Sequence, residues 1–286
     1  MTAGKNAEKE FFAPAKVLRK LLAEQPTPFY LYDAKALREN CVRLQKAFSW
    51  NPGFSVWFPV RMNQNPAVLR VLSDAGCGML CASEGELRLA RRADIDGTRM
   101  IYAPAVPEEH ACAYAKRICA GQMVDGAHAL PPQPPAQVYL SVNPGGDLRM
   151  NGRTVWNFEK SKLGMDEKTL LSMCERFAAS GTASIGLCLF LRDQDTEILR
   201  FYAAAEALFR LAAQIKGECG LAIDSILICG GLGASYRAGD AAPDLQKVSC
   251  EVQAYYETLL TSEGLAPKLM LAPGRLLAAR AGALIT

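Results

Sequence analysis

The sequence has few of the residues that build metal sites, and it has no long hydrophobic segment. Only two histidines occur, and the ten cysteines include no Cys-x-x-Cys pair, so the ligand spacing of a tetrahedral zinc site is missing. The longest apolar run, residues 185–191, is far shorter than the roughly 20 residues of a membrane-spanning helix. Residues 1–10 are polar and lack a signal-peptide core. We therefore expect reduced, mostly buried thiols, no metal site, no membrane segment and a cytoplasmic location.

An excess of either charge is also lacking. The chain has 32 Lys and Arg against 29 Asp and Glu, a net charge of +3, and like charges form no long run. This distribution provides no electrostatic footprint for nucleic acid or anionic lipid. With 286 residues, 50% of them hydrophobic, the chain can bury a sizeable core, which excludes a disordered protein.

Segments typical of strands and helices alternate along the chain. Predicted strands cover residues 27–33, 54–60, 99–102, 122–124, 137–142, 183–191, 225–229 and 268–271. Predicted helices cover about 34–48, a segment starting near 66, another opened by the capping box Ser83-x-x-Glu86, and then 107–119, 166–179, 195–215 and 250–260. The prolines in 131–135 exclude a helix there. The alternation favours a (β/α)8 barrel over residues 50–286, preceded by an extension, residues 1–49, with one strand and one helix.

A glycine-rich turn is the first candidate for a binding site. Gly230, Gly231, Leu232 and Gly233 directly follow the predicted strand 225–229. In a barrel, ligands meet residues at the carboxyl ends of the strands, where a bare backbone can turn its N–H groups toward a phosphate. Taken alone, the motif is equally well explained as a tight structural turn.

Further motifs give the chain a specific family resemblance. After the opening strand, six segments match in order: 65–70 (NPAVLR), 81–87 (CASEGEL), 143–146 (NPGG), 161–164 (SKLG), 230–233 (GGLG) and 273–275 (PGR). They resemble the fold-III pyridoxal-phosphate decarboxylases, of the diaminopimelate decarboxylase type. The resemblance, over residues 27–286, implies an alanine-racemase-like barrel that in the family precedes a C-terminal β-domain. Because the chain ends at Thr286, we expect it to lack that domain.

The chain departs from the family at the positions that carry its chemistry. Arg61 stands at the position of the lysine that forms the Schiff base with pyridoxal phosphate, and a guanidinium offers no free amine. Ala272 stands at the position of the glutamate that pairs with the pyridine nitrogen. Cys188 and Phe190 replace two histidines, although the ring of Phe190 could still stack on the cofactor.

Other departures concern the phosphate and the rim of the site. Asp193 replaces a serine that helps to hold the phosphate in the family, and its carboxylate would oppose a phosphate by roughly 4 kcal/mol per charge pair unless Arg192 or Arg275 offsets it. Leu80 and Ser141 stand at positions of an aspartate and an arginine. Either change taken alone is compatible with harmless drift, whereas the whole set is not.

We therefore expect a catalytically inactive barrel retained to bind a ligand or a partner. Pyridoxal phosphate is expected to bind weakly without a covalent bond, or not at all, and the candidate cofactor contacts are Gly230, Gly231, Leu232, Gly233, Arg275, Phe190 and Asp193. The alternative is an active decarboxylase that uses another lysine, with Lys162 as the candidate, or a partner subunit. A truncated or engineered fragment also stays open.

The opening strand suggests an association surface. In the family this strand pairs with the C-terminal β-domain, so we expect residues 29–32 to form an unpaired apolar edge. The alternative is that the segment folds back on the barrel or frays. An unpaired edge predicts a homo-oligomer, or binding to an active decarboxylase that carries the β-domain.

Overall fold

The architecture was analysed in a computed structural model that describes residues 13–126, 135–158, 161–180, 182–191, 198–236 and 242–286. The strands are β1 (Phe29–Tyr32), β2 (Ser55–Pro59), β3 (Gly78–Cys81), β4 (Met100–Tyr102), β5 (Gly121–Val124), β6 (Gln137–Ser141), β7 (Asp147–Met150), β8 (Arg153–Asn157), β9 (Ser184–Phe190), β10 (Ser225–Cys229), β11 (Lys268–Ala272) and β12 (Gly282–Ile285). Eight of them close a parallel barrel in the order β2-β3-β4-β5-β6-β9-β10-β11, and β11 pairs back to β2. The predicted barrel is thereby confirmed.

Helices lie between most of the barrel strands. They are α1 (Ala15–Glu24), α2 (Ala34–Ala47), α3 (Pro66–Asp74), α4 (Glu84–Arg92), α5 (Glu109–Arg117), α6 (Glu167–Ala179), α7 (Ile198–Cys219), α8 (Leu245–Leu259) and α9 (Gly274–Ala278). Local side chains fix where several begin: Asn65 accepts from the N–H of Ala67, and Ser83 accepts from the N–H of Glu86 at 3.2 Å. The Ser83 half of the predicted capping box therefore forms, while the Glu86 carboxylate accepts from the N–H of Ala82, one residue before the cap, at 2.7 Å.

The buried side chains form two separate clusters. A large outer cluster fills the layer between the strands and the helices and includes Phe58, Leu69 and Phe209, each 0% exposed. A smaller cluster fills the barrel interior. Because side chains alternate along a strand, each barrel strand supplies both clusters. The interior cluster consists of Trp57, Leu80, Ile101, Ala103, Met123, Tyr139, Cys188, Leu227, Cys229, Met270 and Ala272, with Phe190 packed against it.

Some boundaries differ from the predictions. An antiparallel hairpin, β7–β8, follows β6 and was not predicted, although Asp147–Met150 alternates polar and apolar residues and Asn151-Gly152 is a typical hairpin turn. Helix α8 begins at Leu245, where Asp244 accepts from two backbone N–H groups, earlier than the predicted start at 250. Most of the predicted proline-rich loop, residues 131–134, lies outside the described residues.

The prediction of an unpaired opening strand was wrong. β1 pairs antiparallel with β12, and Phe29 lies opposite Ile285. The sequence predicted β11 as the last element of the chain, but α9 and β12 follow it. The physical reason is that residues 282–285 form a short second strand, which satisfies one edge of β1. Tyr30 and its cross-strand partner Leu284 still expose 68% and 52% of their surface.

The described helices provide no membrane-spanning segment: none of them combines sufficient length with sufficient apolar character. Within the same residues, no group of three or more His, Cys, Asp or Glu side chains is arranged to hold a metal ion. The division of the chain at residue 50 stays a prediction. β1 and α2 do precede the first barrel strand, but α2 also packs against the barrel helices α3 and α8.

Candidate ligand site at the barrel mouth

A small cavity opens at the carboxyl ends of strands β2, β9, β10 and β11. Its volume is about 150 Å³, below the roughly 300 Å³ at which pockets for drug-sized ligands begin. The position is the one where barrels of this kind bind ligands. The lining residues are Pro59, Arg61, Met62, Leu163, Phe190, Leu191, Cys229, Gly230, Ala272 and Gly274. Four candidate site positions from the sequence, at 61, 190, 230 and 272, therefore meet at one cavity.

Arg61 lies in a single 3-10 turn, residues Val60–Met62, directly after β2. It is exposed and lines the cavity. Within the described part of the chain its guanidinium forms neither a hydrogen bond nor an ion pair. A guanidinium stays protonated at physiological pH and carries five donors, so Arg61 brings an uncompensated positive charge to the mouth.

Ala272 ends β11 and is 1% exposed. It belongs to the interior cluster, so the cavity wall at the position of the family's glutamate is apolar. Arg275 follows in α9 and is half-buried, and its guanidinium forms no hydrogen bond or ion pair within the described residues. A Cβ on Gly274 would come within 2.8 Å of the Met62 Cγ atom, so glycine permits the close approach of α9 to the turn after β2.

Cys188 lies one layer below the cavity and Cys229 lines it. Their sulfur atoms are 3.9 Å apart, on the neighbouring strands β9 and β10. Burial, the largest effect, raises the pKa of Cys188 well above its usual range, so this thiol is neutral at physiological pH. Phe190, two residues after Cys188 on the same face, is half-buried and forms part of the wall. These replacements make the floor of the mouth uncharged.

The glycine turn retains a backbone able to hold an anion. Gly230 and Gly231 have φ values of +79° and +77°, in the left-handed region that favours glycine. A Cβ on Gly231 would stand 2.5 Å from the Leu191 Cδ1 atom. The Gly230 N–H donates to the Ala272 carbonyl at 3.2 Å, whereas the N–H groups of Gly231, Leu232 and Gly233 have no acceptor within the described residues. Successive free N–H groups of this kind suit a phosphate.

The segment 161–164 reaches the mouth through one residue. The Gly164 N–H donates to the Asp125 carboxylate at 2.6 Å, which ties the segment to the end of β5. Leu163 lines the cavity, while the preceding Lys162 is exposed and does not line it. The sequence analysis missed Pro59, Met62, Leu163, Leu191 and Cys229 as lining residues, although Leu163 lies in the quoted segment 161–164 and the alternation along its strand indicated Cys229.

Two positions on the rim also become interpretable. Leu80 is 3% exposed and packs in the interior cluster, and Ser141 is 1% exposed with a hydroxyl that has no hydrogen-bond partner within the described residues. A buried hydroxyl without a partner loses its hydration without a replacement hydrogen bond. Arg192 and Asp193, proposed from the sequence to bear on the phosphate, lie outside the described residues.

The lining does not match the donor set that covalent binding of pyridoxal phosphate requires. Among the described residues the cavity has no lysine to supply an amine and no carboxylate to pair with a pyridine nitrogen. The glycine turn alone suits the phosphate. The residues present therefore fit one end of the group and not its reactive part.

The barrel and its mouth define the class of protein. The chain belongs to the family described as pyridoxal-dependent decarboxylase, pyridoxal binding domain, whose model matches residues 34–279. Among curated proteins it is 28% identical to the diaminopimelate decarboxylase of Zymomonas mobilis, over 94% of this chain and 65% of that protein. It is 26% identical to the diaminopimelate decarboxylase of Methanothermobacter thermautotrophicus, over 93% of this chain and 64% of that protein.

Solved structures show the same fold. The diaminopimelate decarboxylase from M. jannaschi matches with a TM-score of 0.83 at 21% identity, covering 93% of this chain and 64% of that chain. The diaminopimelate decarboxylase from Helicobacter pylori, complexed with L-lysine, matches with a TM-score of 0.80 at 20% identity, covering 93% and 68%. The chain thus spans about 65% of the length of the curated relatives, and the sequence-based family resemblance is confirmed.

Proposed function

We propose that this barrel has lost the covalent chemistry of its family and serves as a non-catalytic protein that binds a ligand or a partner. The observation that carries the proposal is that Arg61 and Ala272 line the same cavity. The first removes the amine that would bind the cofactor aldehyde, and the second removes the carboxylate that would keep the pyridine ring protonated. Losing both from one site leaves no route to the family's reaction there.

The distribution of the changes supports this function over random decay. Backbone features that only shape the site are present, such as the two left-handed glycines of the 230–233 turn and the helix caps of Asn65 and Ser83. The side chains that would react are the ones replaced. A chain under no constraint would lose backbone-shaping residues as readily as reactive side chains, because most random substitutions destabilise a fold.

The two curated relatives described above carry the name diaminopimelate decarboxylase, and an active enzyme of that kind is the rival function. It would need another amine, from Lys162 or from a partner subunit. Lys162 is exposed and does not line the cavity, although its neighbour Leu163 does. The position of Lys162 therefore favours the non-catalytic function.

Partner binding remains part of the proposal. Tyr30 and Leu284, opposite each other on the β1–β12 ribbon, form an exposed apolar pair. We propose this pair as the contact with a second copy of this chain or with an active decarboxylase of the same family, since adjacent exposed apolar side chains can nucleate an association surface.

Borohydride reduction in the presence of pyridoxal phosphate tests the proposal. The protein is incubated with the cofactor, reduced, digested and analysed by mass spectrometry, with an active diaminopimelate decarboxylase as the positive control. We expect no pyridoxyl adduct on any lysine and no visible absorbance band of a Schiff base, with weak reversible cofactor binding or none. A stoichiometric adduct on Lys162 would overturn the proposal.

The Arg61→Lys variant gives a second measurement. It restores an amine at the family's position, but Ala272, Cys188 and Phe190 remain, and groups that act as a unit are not recovered singly. We expect no decarboxylation of diaminopimelate above a control without protein. Turnover by this variant would mean that the remaining site is still competent.

A further inference from the structure

The barrel mouth combines one unpaired cation with apolar walls. Arg61 is the single charged residue among the described residues that line the cavity, and no described side chain neutralises it. No carboxylate occurs in the same lining. Arg275, in the helix that begins at the lining residue Gly274, adds a second guanidinium without a partner in the described chain. The mouth is therefore electrostatically suited to an anion.

The walls restrict what kind of anion suits the cavity. Met62, Leu163, Phe190, Leu191 and Ala272 give it aliphatic and aromatic surfaces. Pockets lined in this way, with a few polar groups, bind molecules that have an apolar body and one oriented polar group. The cavity volume of about 150 Å³ lies below the roughly 300 Å³ at which pockets for drug-sized ligands begin. The matching ligand is therefore small, with a short hydrocarbon part.

We propose that the mouth binds a short-chain aliphatic carboxylate, whose carboxylate pairs with the Arg61 guanidinium while its hydrocarbon chain lies against Phe190 and Leu191. The inference rests on the proposed function, because it assigns to Arg61 a binding role at the position where the family has its reactive amine. Guanidinium and carboxylate match as a planar, two-pronged pair, which a lysine ammonium does not reproduce.

A carboxylate is favoured over a phosphate by the position of Arg61. Within the described residues, the free backbone N–H groups suited to phosphate belong to residues 231–233, which do not line the cavity. Only Gly230 of that turn lines it, and its N–H already donates to Ala272, whereas Arg61 and the apolar walls line the cavity directly. A phosphate held only by the glycine turn would make no use of Arg61. A change at Arg61 is therefore expected to weaken binding of a carboxylate in the cavity but not binding of a phosphate at the glycine turn.

Ligand-observed NMR and isothermal titration calorimetry on the whole chain test the inference with butyrate as the probe. Butyramide has the same shape without charge, butylammonium reverses the charge, and inorganic phosphate lacks the hydrocarbon part. We expect butyrate to bind with a millimolar dissociation constant and at least about tenfold more tightly than butyramide or butylammonium. Equal binding of butyrate and butyramide would overturn the inference.

Two variants locate the binding. Arg61→Met keeps much of the side-chain length and removes the charge, and we expect it to weaken butyrate binding about tenfold or more. Ala272→Glu places a carboxylate in the same cavity, and we expect it to abolish butyrate binding by competing for Arg61. Arg43→Met is the matched control, because Arg43 is exposed on α2 and does not line the cavity. Circular dichroism verifies that each variant is folded.

The outcomes separate this inference from the proposed function. Two results would overturn the carboxylate site: butyrate binding that is unchanged in Arg61→Met, or phosphate binding that is tighter than butyrate binding and is unchanged in Arg61→Met. Neither result would alter the outcome of the borohydride experiment. A pyridoxyl adduct on a lysine would overturn the non-catalytic function whatever butyrate does. Loss of butyrate binding in Arg61→Met, together with unchanged binding in Arg43→Met, supports the carboxylate site.

Discussion

The outer layer of the barrel and its mouth differ in how far their side chains are buried. In the outer layer, Phe58, Leu69 and Phe209 are 0% exposed and pack between strands and helices. At the mouth, Arg61 is exposed and unpaired within the described residues, and Phe190 is half-buried. Burial of these outer-layer side chains stabilises the fold, whereas we expect exposed or half-buried side chains at the mouth to contribute less to its stability. Side chains at the mouth can therefore change while the barrel persists, which is the pattern that the sequence shows.

Aromatic truncation tests this difference most strongly. Phe209 is fully buried and meets the Tyr256 ring edge-on at 5.6 Å between centroids. We expect Phe209→Ala to lower the free energy of unfolding by about 3–5 kcal/mol. Phe190→Ala, at the half-buried wall of the mouth, is expected to lower it by only about 1 kcal/mol. Urea unfolding followed by circular dichroism measures both, and equal losses would contradict the division between outer layer and mouth.

Two glycines with positive φ sharpen the comparison at the level of the backbone. Gly164 has a φ of +95°, and a Cβ there would collide with the backbone of Val142 and Asn143. We expect Gly164→Ala to cost about 2–4 kcal/mol, from left-handed strain plus overpacking. Gly145 has a φ of +68° but open space around it, so Gly145→Ala should cost about 1 kcal/mol. Equal melting temperatures of the two variants would contradict this reading of the 161–164 segment.

The buried thiols predict a loss of stability at alkaline pH. Burial raises the pKa of Cys188 well above its usual range in the folded protein, whereas an unfolded cysteine titrates near about 8.5. The unfolded state then loses its proton first, so the contribution to stability is full below about pH 8.5 and declines as pH rises toward the folded pKa, by up to about 1.4 kcal/mol per pH unit.

Urea unfolding between pH 7 and pH 10 measures this slope. We expect a shallower decline for Cys188→Ala than for the unchanged protein, because the variant has one buried thiol fewer. Cys250→Ala is the control, since the Cys250 thiol is exposed. If both variants keep the original slope, neutral burial of the Cys188 thiol is not what links stability to pH.

The exposed ribbon gives the smallest expected effect on stability. Tyr30→Lys with Leu284→Lys changes two exposed side chains, so we expect the free energy of unfolding to shift by less than about 0.5 kcal/mol. We expect the same double variant to reduce self-association in light scattering. Val106→Lys is the control, because Val106 is 77% exposed elsewhere on the surface. An unchanged protein that is already a monodisperse monomer would rule out association through this ribbon.

Much of the fold was accessible from the sequence because its signals are local. The capping motif at Ser83 and Glu86 and the strand Ser225–Cys229 depend on neighbouring residues, and both were predicted. The β7–β8 hairpin was missed although its two short strands flank Asn151-Gly152, a typical hairpin turn, and although Leu148 and Met150 pack on the core. Leu163 was missed as a lining residue because the path of its segment depends on a distant contact, that of Gly164 with Asp125.

The sequence by itself determined the alternation of strands and helices, the caps and the residue types at the family's positions, since each depends on short-range periodicity or on identity alone. Only the tertiary structure decided that Arg61, Phe190 and Ala272 share one cavity, and that β1 pairs with β12. Both facts join residues far apart in the chain. Barrel closure and burial fix such contacts, because the free energy that selects them comes from packing summed over the whole fold.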